Sequence, residues 1–184
     1  MKKWLTAGVF FFLLPLLWTQ ETGAFIATVV VQPSVEVAEA AFEDDSKYPE
    51  LDIEFLLRKR ITEIAQGYLG IPYKYAGVTP EGFDCTGFIA FVYYEAAGMT
   101  VSRSSVGIWN SGKKIPLTQV RPGDVLVFTT VRAGASHAGI VLENGPRGVI
   151  FIHSASQGSE TGVIISNMNE KYYKSRFMGA RNYF

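Results

Sequence analysis

The sequence predicts an α+β domain, with helices in its first half and an antiparallel β-sheet in its second half. Apolar residues recur at helical spacing between Leu51 and Leu69, and a second helix is expected from Cys85 to Ala97. From Val125 onward the chain changes to short runs of β-branched residues, which Gly, Pro and Asn separate. Helices followed by consecutive strands are typical of α+β domains.

Both predicted helices carry start or stop signals. Gly70 and Pro72 end the first helix, because neither residue type continues a helix well. The second helix follows Asp84, a residue type that caps helix N-termini, and precedes Gly98, which suits a helix C-cap. The apolar positions of the first helix are Ile53, Leu56, Leu57, Ile61, Ile64 and Leu69.

The predicted strands are short, and turn residues bound them on both sides. Before them, residues 102–112 are polar and predict a loop with a short helical turn. The strand-like runs are Val125–Val131, His137–Leu142, Val149–His153 and Val163–Ser166, with Phe177–Tyr183 as a further strand.

The composition is that of a small globular protein with few reactive side chains. The 184 residues include 17 basic and 17 acidic residues, 48% are hydrophobic and 18% are charged. This balance argues against a disordered chain and against a nucleic-acid-binding protein with a basic surface. The single cysteine, Cys85, excludes an internal disulfide and any site with several cysteine ligands. Only two histidines, His137 and His153, accompany it.

The N-terminal segment has the pattern of a secretory signal peptide. Two lysines precede an apolar run over residues 4–18, and a small-residue site follows. The run is shorter than the ~20 residues of a membrane span. We therefore expect residues 1–24 to be a cleaved signal peptide, with an uncleaved anchor as the alternative. Residues 25–50 are expected to form a leader or linker, and residues 51–184 the main domain, located outside the cytoplasm.

Cys85 is a candidate nucleophile because it opens a predicted helix. A helix N-terminus carries partial positive charge and unpaired N–H groups, which stabilise a thiolate and can form an oxyanion hole. An activated Cys85 would alkylate at about pH 6–7, below the ~8.5 of a free thiol. The alternative is a structural cysteine, since free cysteines are among the most buried residues.

His137 and His153 lie on two neighbouring predicted strands. If these strands pair antiparallel, the two imidazoles can lie side by side. One ring would then take the thiol proton of Cys85, and the other would orient it. The alternatives are two ordinary histidines or, with weak support from the spacing, a zinc site formed by all three residues.

Several blocks of the sequence resemble, in order, the signature of the NlpC/P60 cell-wall peptidase family. The resemblance extends from about residue 61 to residue 183, and Thr86 stands where serine is commoner in the family. The blocks are GIPYKYAG (70–77), GFDCTGF (82–88), RPGDVLVF (121–128), HAGIV (137–141), FIHSA (151–155) and YYKSRFMGAR (172–181).

The resemblance implies a papain-like fold and a set of site residues. Cys85 matches the nucleophile, His137 the general base and His153 the orienting third residue. Three further positions match residues that bind substrate or assist the oxyanion site. Asp84 could instead act only as a helix cap, and Ser104 is an alternative to Ser105. These positions are Tyr73, Asp84 and Ser105.

The activity that the resemblance implies is that of a secreted cysteine endopeptidase. Its substrates would be peptidoglycan stem peptides, cleaved between γ-D-glutamate and the diamino acid by the domain of residues 51–184. No metal, cofactor or nucleic acid is expected, and membrane contact only if residues 1–24 remain attached. The alternatives are an amidase or acyltransferase of the same superfamily and a domain that binds wall peptide without cleaving it.

Overall fold

The structure is a computed structural model that describes residues 52–130, 132–158 and 160–184. All the described residues belong to one compact unit. The predicted signal peptide (1–24) and leader (25–50) lie outside the described residues. In the described part of the chain, no helix is both long enough and apolar enough to cross a membrane.

Four α-helices and eight strands make up the described fold. A single 3₁₀ turn, Leu117–Gln119, precedes the central strands. The helices are α1 (Ile53–Gly67), α2 (Cys85–Ala97), α3 (Ser105–Asn110) and α4 (Lys171–Lys174). The strands are β1 (Val78–Thr79), β2 (Gly82–Phe83), β3 (Lys113–Ile115), β4 (Val125–Phe128), β5 (His137–Gly145), β6 (Gly148–Ala155), β7 (Gly162–Asn167) and β8 (Phe177–Asn182).

The six strands β3 to β8 form one antiparallel sheet in the order β3-β8-β4-β5-β6-β7. The short strands β1 and β2 pair separately as a hairpin just before α2. This arrangement confirms the predicted α+β class with an antiparallel sheet.

The predicted bounds and caps of α2 are confirmed. The Asp84 carboxylate accepts a hydrogen bond from the backbone N–H of Gly87 at 2.6 Å, which satisfies one of the unpaired donors of the first turn. At the other end Gly98 adopts a left-handed conformation with φ of 63°, which glycine tolerates without strain. These two local signals hold the N-terminus of α2, and therefore Cys85, in place.

The central strands differ from their predicted lengths. A tight turn joins β5 and β6, so β5 extends three residues beyond its predicted end and β6 begins one residue early. Pairing with β7 extends β6 by two residues at its other end. Strand β4 ends earlier than predicted, at Phe128. The sequence does not predict the edge strand β3, because the strand has only three residues and two of them are lysines, which give no strand pattern. Pairing with β8 stabilises it.

Both faces of the sheet are buried. One face packs against α1 and α2 through residues such as Ile140 and Ile152. The other face carries an aromatic layer that includes Phe128, Phe151 and Tyr173. Because side chains alternate along a strand, β6 directs Ile152 toward the helices and its neighbours toward the aromatic layer.

Candidate active site

Cys85 is the first residue of α2, and the start of this helix packs very closely against the preceding loop. A Cβ atom on Gly87 would lie 1.9 Å from the carbonyl oxygen of Gly77, so only glycine fits there. The thiol of Cys85 is half-buried. The backbone N–H groups of Cys85, Thr86 and Ala138 are near enough to the sulfur to lower the pKa of the thiol. Ala138 follows His137, so the thiol lies near the start of β5.

His137 and His153 are hydrogen-bonded to each other, as the strand pattern predicts. His137 Nε2 and His153 Nδ1 are 2.9 Å apart, and the two rings meet edge to face. The antiparallel pairing of β5 with β6 brings them together across the sheet. Since His153 occupies Nε2 of His137, Nδ1 is the ring nitrogen left to take a proton from Cys85.

The environment of Cys85 does not activate the thiol in the way that the sequence analysis expects. Burial, followed by the negative charge of Asp84, raises the pKa of the Cys85 thiol to about 11. The backbone N–H groups at the helix N-terminus lower it, but they do not outweigh these two effects. The expectation of a lowered thiol pKa is therefore wrong for the protein without substrate.

Burial also keeps both histidines neutral. It lowers the pKa of His137 to about 4. The pKa of His153 is held well below its usual range, first by burial and then by His137. The resting pair is therefore a neutral thiol beside a neutral imidazole, and the proton has to move as the sulfur attacks.

Alkylation of the thiol tests this resting state. Because the thiol pKa is raised, Cys85 is expected to react with iodoacetamide at pH 6–7 more slowly than a free cysteine peptide, and to accelerate with pH beyond ~9. Intact-protein mass spectrometry measures the rate, since the chain has one cysteine. A rate at pH 6–7 above that of the peptide would indicate a thiolate–imidazolium pair instead.

The neutral histidines also make folding sensitive to acid. The pKa of His137 is about 4 in the folded state against an ordinary 6.5, so the unfolded chain binds more protons between these values. Stability from this group is complete above pH 6.5 and is expected to fall by about 3 kcal/mol as the pH drops through 4. Denaturant unfolding at several pH values measures the slope. It is expected to be smaller in His137→Gln, and equal slopes would contradict the assignment.

Two residues that the sequence analysis missed lie behind His153. Ser166 Oγ and Tyr173 Oη are each 3.1 Å from His153 Nε2, and both residues are buried. A hydroxyl-bearing strand residue and one of two adjacent tyrosines give no local signal of such a role. Only the pairing of β7 with β6, and the short helix α4, bring them to the imidazole.

Tyr73 lies near the nucleophile, as its predicted role requires. Its backbone pairs with Phe83, two residues before Cys85. Burial raises the pKa of Tyr73, and the electrostatic influence of Cys85 in its ionised form and of the Asp84 carboxylate raises it further. The phenol therefore keeps its proton and is available as a hydrogen-bond donor beside the thiol.

Asp84 combines its capping role with an ion pair to Arg103, a residue that the sequence analysis did not single out. Arg103 Nη1 and Nη2 lie 3.1 Å and 3.2 Å from the two carboxylate oxygens, and Thr86 Oγ1 donates at 3.0 Å. Burial raises the pKa of Asp84, but the hydrogen bonds from Arg103 and Gly87 outweigh it and lower the pKa. Asp84 is thus an anion with most of its acceptor capacity already used.

Ser105, the third predicted substrate-site residue, is buried, and its hydroxyl donates to the carbonyl oxygen of Ala135 at 2.9 Å. Ser104, the alternative, caps α3 through the N–H of Gly107. Ser105 therefore supports the segment that leads into His137, and its contact with substrate stays a prediction.

The zinc alternative finds no support in the site geometry. His137 Nε2 and His153 Nδ1 contact each other, and the remaining nitrogen of His153 contacts the hydroxyls of Ser166 and Tyr173. Within residues 52–130, 132–158 and 160–184, no group of three or more His, Cys, Asp or Glu side chains is arranged to hold a metal ion.

Comparison with known proteins agrees with this geometry. The chain is 37% identical over 125 residues to a gamma-DL-glutamyl hydrolase of Bacillus subtilis, covering 67% of this chain and 29% of the relative. It is 34% identical over 127 residues to the murein DD-endopeptidase MepS/murein LD-carboxypeptidase of Escherichia coli, covering 68% and 62%. The chain thus spans less than two thirds of either relative.

A solved structure of a single domain is also similar to this chain. The NlpC/p60 domain of the peptidoglycan hydrolase SagA matches with a TM-score of 0.56 and 27% identity, covering 68% of this chain and 97% of that domain. The model of the NlpC/P60 family matches residues 70–182, which include every site residue named above. The chain therefore belongs to the NlpC/P60 family.

Proposed function

We propose that this protein is a cysteine endopeptidase that hydrolyses peptidoglycan stem peptides between γ-D-glutamate and the diamino acid. The observation that carries the proposal is the arrangement of Cys85 at a helix N-terminus, beside the hydrogen-bonded pair His137 and His153. The names of two similar proteins, a gamma-DL-glutamyl hydrolase and a peptidoglycan hydrolase, support the choice of bond and polymer.

The proposed reaction begins with proton transfer from the thiol. As Cys85 Sγ attacks the γ-carbonyl carbon, the S–H proton passes to His137 Nδ1 and the carbonyl π electrons move to oxygen. The imidazolium that forms donates from Nε2 to His153, which stabilises its charge. His137 then protonates the leaving amine, a thioester remains on Cys85, and water activated by His137 hydrolyses it.

The oxyanion of the tetrahedral intermediate needs donors next to the sulfur. The backbone N–H groups of the first turn of α2 are there, aligned with the positive end of the helix dipole. The protonated phenol of Tyr73 is a further donor on the loop side. Because these groups are fixed by the fold, they require little rearrangement when the charge develops.

Arg103 and Asp84 form a charged pair suited to the acyl side of the substrate. A glutamate linked through its γ-carboxyl group keeps a free α-carboxylate, and the side chain of Arg103 is 39% exposed, so part of its guanidinium can bind such a group. Asp84 would attract the free amino terminus of the stem peptide, although its pairing with Arg103 weakens this preference.

The setting of the activity follows from the same proposal. A peptidoglycan substrate places the protein in the cell envelope or outside the cell, with residues 1–24 as the secretory signal peptide and residues 51–184 as the catalytic domain. The reaction needs no metal, cofactor or nucleic acid. An intact set of Cys85, His137 and His153 is more than a domain that only binds wall peptide requires.

Mass spectrometry of defined peptides tests the proposed bond. Stem peptides with γ-linked D-glutamate, their α-linked isomers and cross-linked dimers are incubated with the protein. We expect fragments split after γ-D-glutamate, and slower cleavage when the amino terminus is acetylated. Cleavage only at the D,D cross-link would indicate a DD-endopeptidase, the activity for which the Escherichia coli relative is named. Hydrolysis of an amide bond other than these peptide bonds, with release of an amine or ammonia, would indicate an amidase.

A further inference from the structure

We propose that Ser166 and Tyr173 are positioning residues that hold His153 in the tautomer with its proton on Nε2. In this tautomer His153 Nδ1 is an acceptor, so that His137 keeps its own proton on Nε2 and leaves Nδ1 free for the thiol proton. The catalytic part of this role rests on the proposed function. The tautomer itself is a property of the free protein.

The geometry isolates His153 Nε2 from every partner except these two hydroxyls among the described residues. Ser166 Oγ and Tyr173 Oη each lie 3.1 Å away, and His153 itself is only 1% exposed. Phe151 stacks on the ring and Tyr173 meets it edge-on, so the imidazole cannot turn to find other partners. The state of Nε2 therefore depends on which way the two hydroxyl protons point.

Both hydroxyls can accept a proton from His153 Nε2. Each oxygen has lone pairs and each hydroxyl proton can rotate to suit its partners, so Ser166 Oγ and Tyr173 Oη can both serve as acceptors at 3.1 Å. The proposed reaction sets the polarity, because His137 must keep Nδ1 free for the thiol proton. His137 then donates from Nε2 to His153 Nδ1, and His153 carries its own proton on Nε2.

The opposite polarity would stop the reaction. If a hydroxyl donated to His153 Nε2, His153 would carry its proton on Nδ1 and donate it to His137 Nε2. Neutral His137 would then be protonated on Nδ1, the nitrogen that has to receive the thiol proton. Fixing a neighbouring imidazole in the wrong tautomer removes general-base catalysis even when the site geometry is intact.

Nitrogen NMR of the imidazoles tests the tautomer directly. The chain has only two histidines, so a protein labelled with ¹⁵N-histidine gives signals from His137 and His153 alone. We expect the parent to show His153 protonated on Nε2 and unprotonated on Nδ1. The double variant Ser166→Ala/Tyr173→Phe should lose this preference, with kcat on stem peptides lower by about 100-fold and KM unchanged.

Two further variants separate positioning from packing. The single variant Ser166→Thr keeps a hydroxyl at this position and leaves Tyr173 intact. It is expected to keep His153 protonated on Nε2 and to retain most of the parental kcat. Tyr172→Phe alters the adjacent, 43% exposed tyrosine and should change neither. Thermal unfolding of each variant confirms that it is folded.

Three outcomes would overturn the assignment. The first is a parent in which His153 carries its proton on Nδ1. The second is a double variant that retains the Nε2–H tautomer, whatever its activity, because a loss of kcat would then reflect packing. The third is a changed tautomer with parental kcat. Since the spectrum needs no substrate, an inactive parent would refute the proposed function and still leave this assignment decidable.

Discussion

Replacing His137 by Ala is expected to lower kcat for stem-peptide hydrolysis by about 1000-fold. The thiol pKa of about 11 leaves almost no thiolate at neutral pH, so attack depends on proton transfer to His137 as the bond forms. The same variant also loses the acid that protonates the leaving amine. Single-turnover kinetics of parent and variant measure the chemical step without interference from product release.

Two controls make the His137 result specific. Substrate binding should be retained, because His137 acts on the reacting atoms and the proposed binding groups are Arg103 and Asp84, which pair with each other. Alkylation of Cys85 at pH 7 should remain as slow as in the parent, since the resting pair is neutral. A variant that kept more than about a tenth of the parental kcat would contradict the assignment of the base.

Replacing Gly87 by Ala is expected to damage both stability and activity. The new Cβ would lie 1.9 Å from the backbone oxygen of Gly77 and 2.9 Å from Arg103 Nη1, so the loop that carries Tyr73 has to move away from α2. Such overpacking costs about 1–3 kcal/mol of stability. A displacement of about 1 Å at the nucleophile can lower the rate by about 100-fold.

Gly67→Ala is the matched control, since it makes the same substitution in the other long helix. No atom lies within 4 Å of a Cβ at Gly67, so the alanine is accommodated without movement. Its stability should be equal to that of the parent or higher by up to ~1 kcal/mol, with unchanged kcat/KM. Equal effects of the two variants on unfolding and kinetics would show that the contact between Gly87 and Gly77 does not hold the site.

The parts of the site that the sequence predicts correctly depend on local patterns. Asp84 and Gly98 predict the first and last residues of α2 correctly, because capping is decided within a few positions of the chain. The approach of His137 and His153 follows from alternation along two adjacent strands joined by a tight turn.

The parts that the sequence does not predict depend on contacts between distant segments. The protonation state of the thiol is one, since burial and the charge of Asp84 outweigh the helix N-terminus only in the folded domain. The pairing of Arg103 with Asp84 and the packing of Tyr173 against His153 are others. Ser105 shows the same limit, because the sequence around it does not reveal that its hydroxyl donates to the carbonyl oxygen of Ala135.

The most direct test of the central claim, that Cys85 is the nucleophile, is the mass of the acyl-enzyme. The protein is mixed with a γ-D-glutamyl stem peptide, quenched in acid within milliseconds and analysed intact and after digestion. We predict an added mass equal to the acyl fragment, carried by the peptide that contains Cys85 and removed by hydroxylamine. Cys85→Ala should show neither the adduct nor turnover. Turnover by Cys85→Ala at the parental rate, or an adduct on another residue, would contradict the assignment.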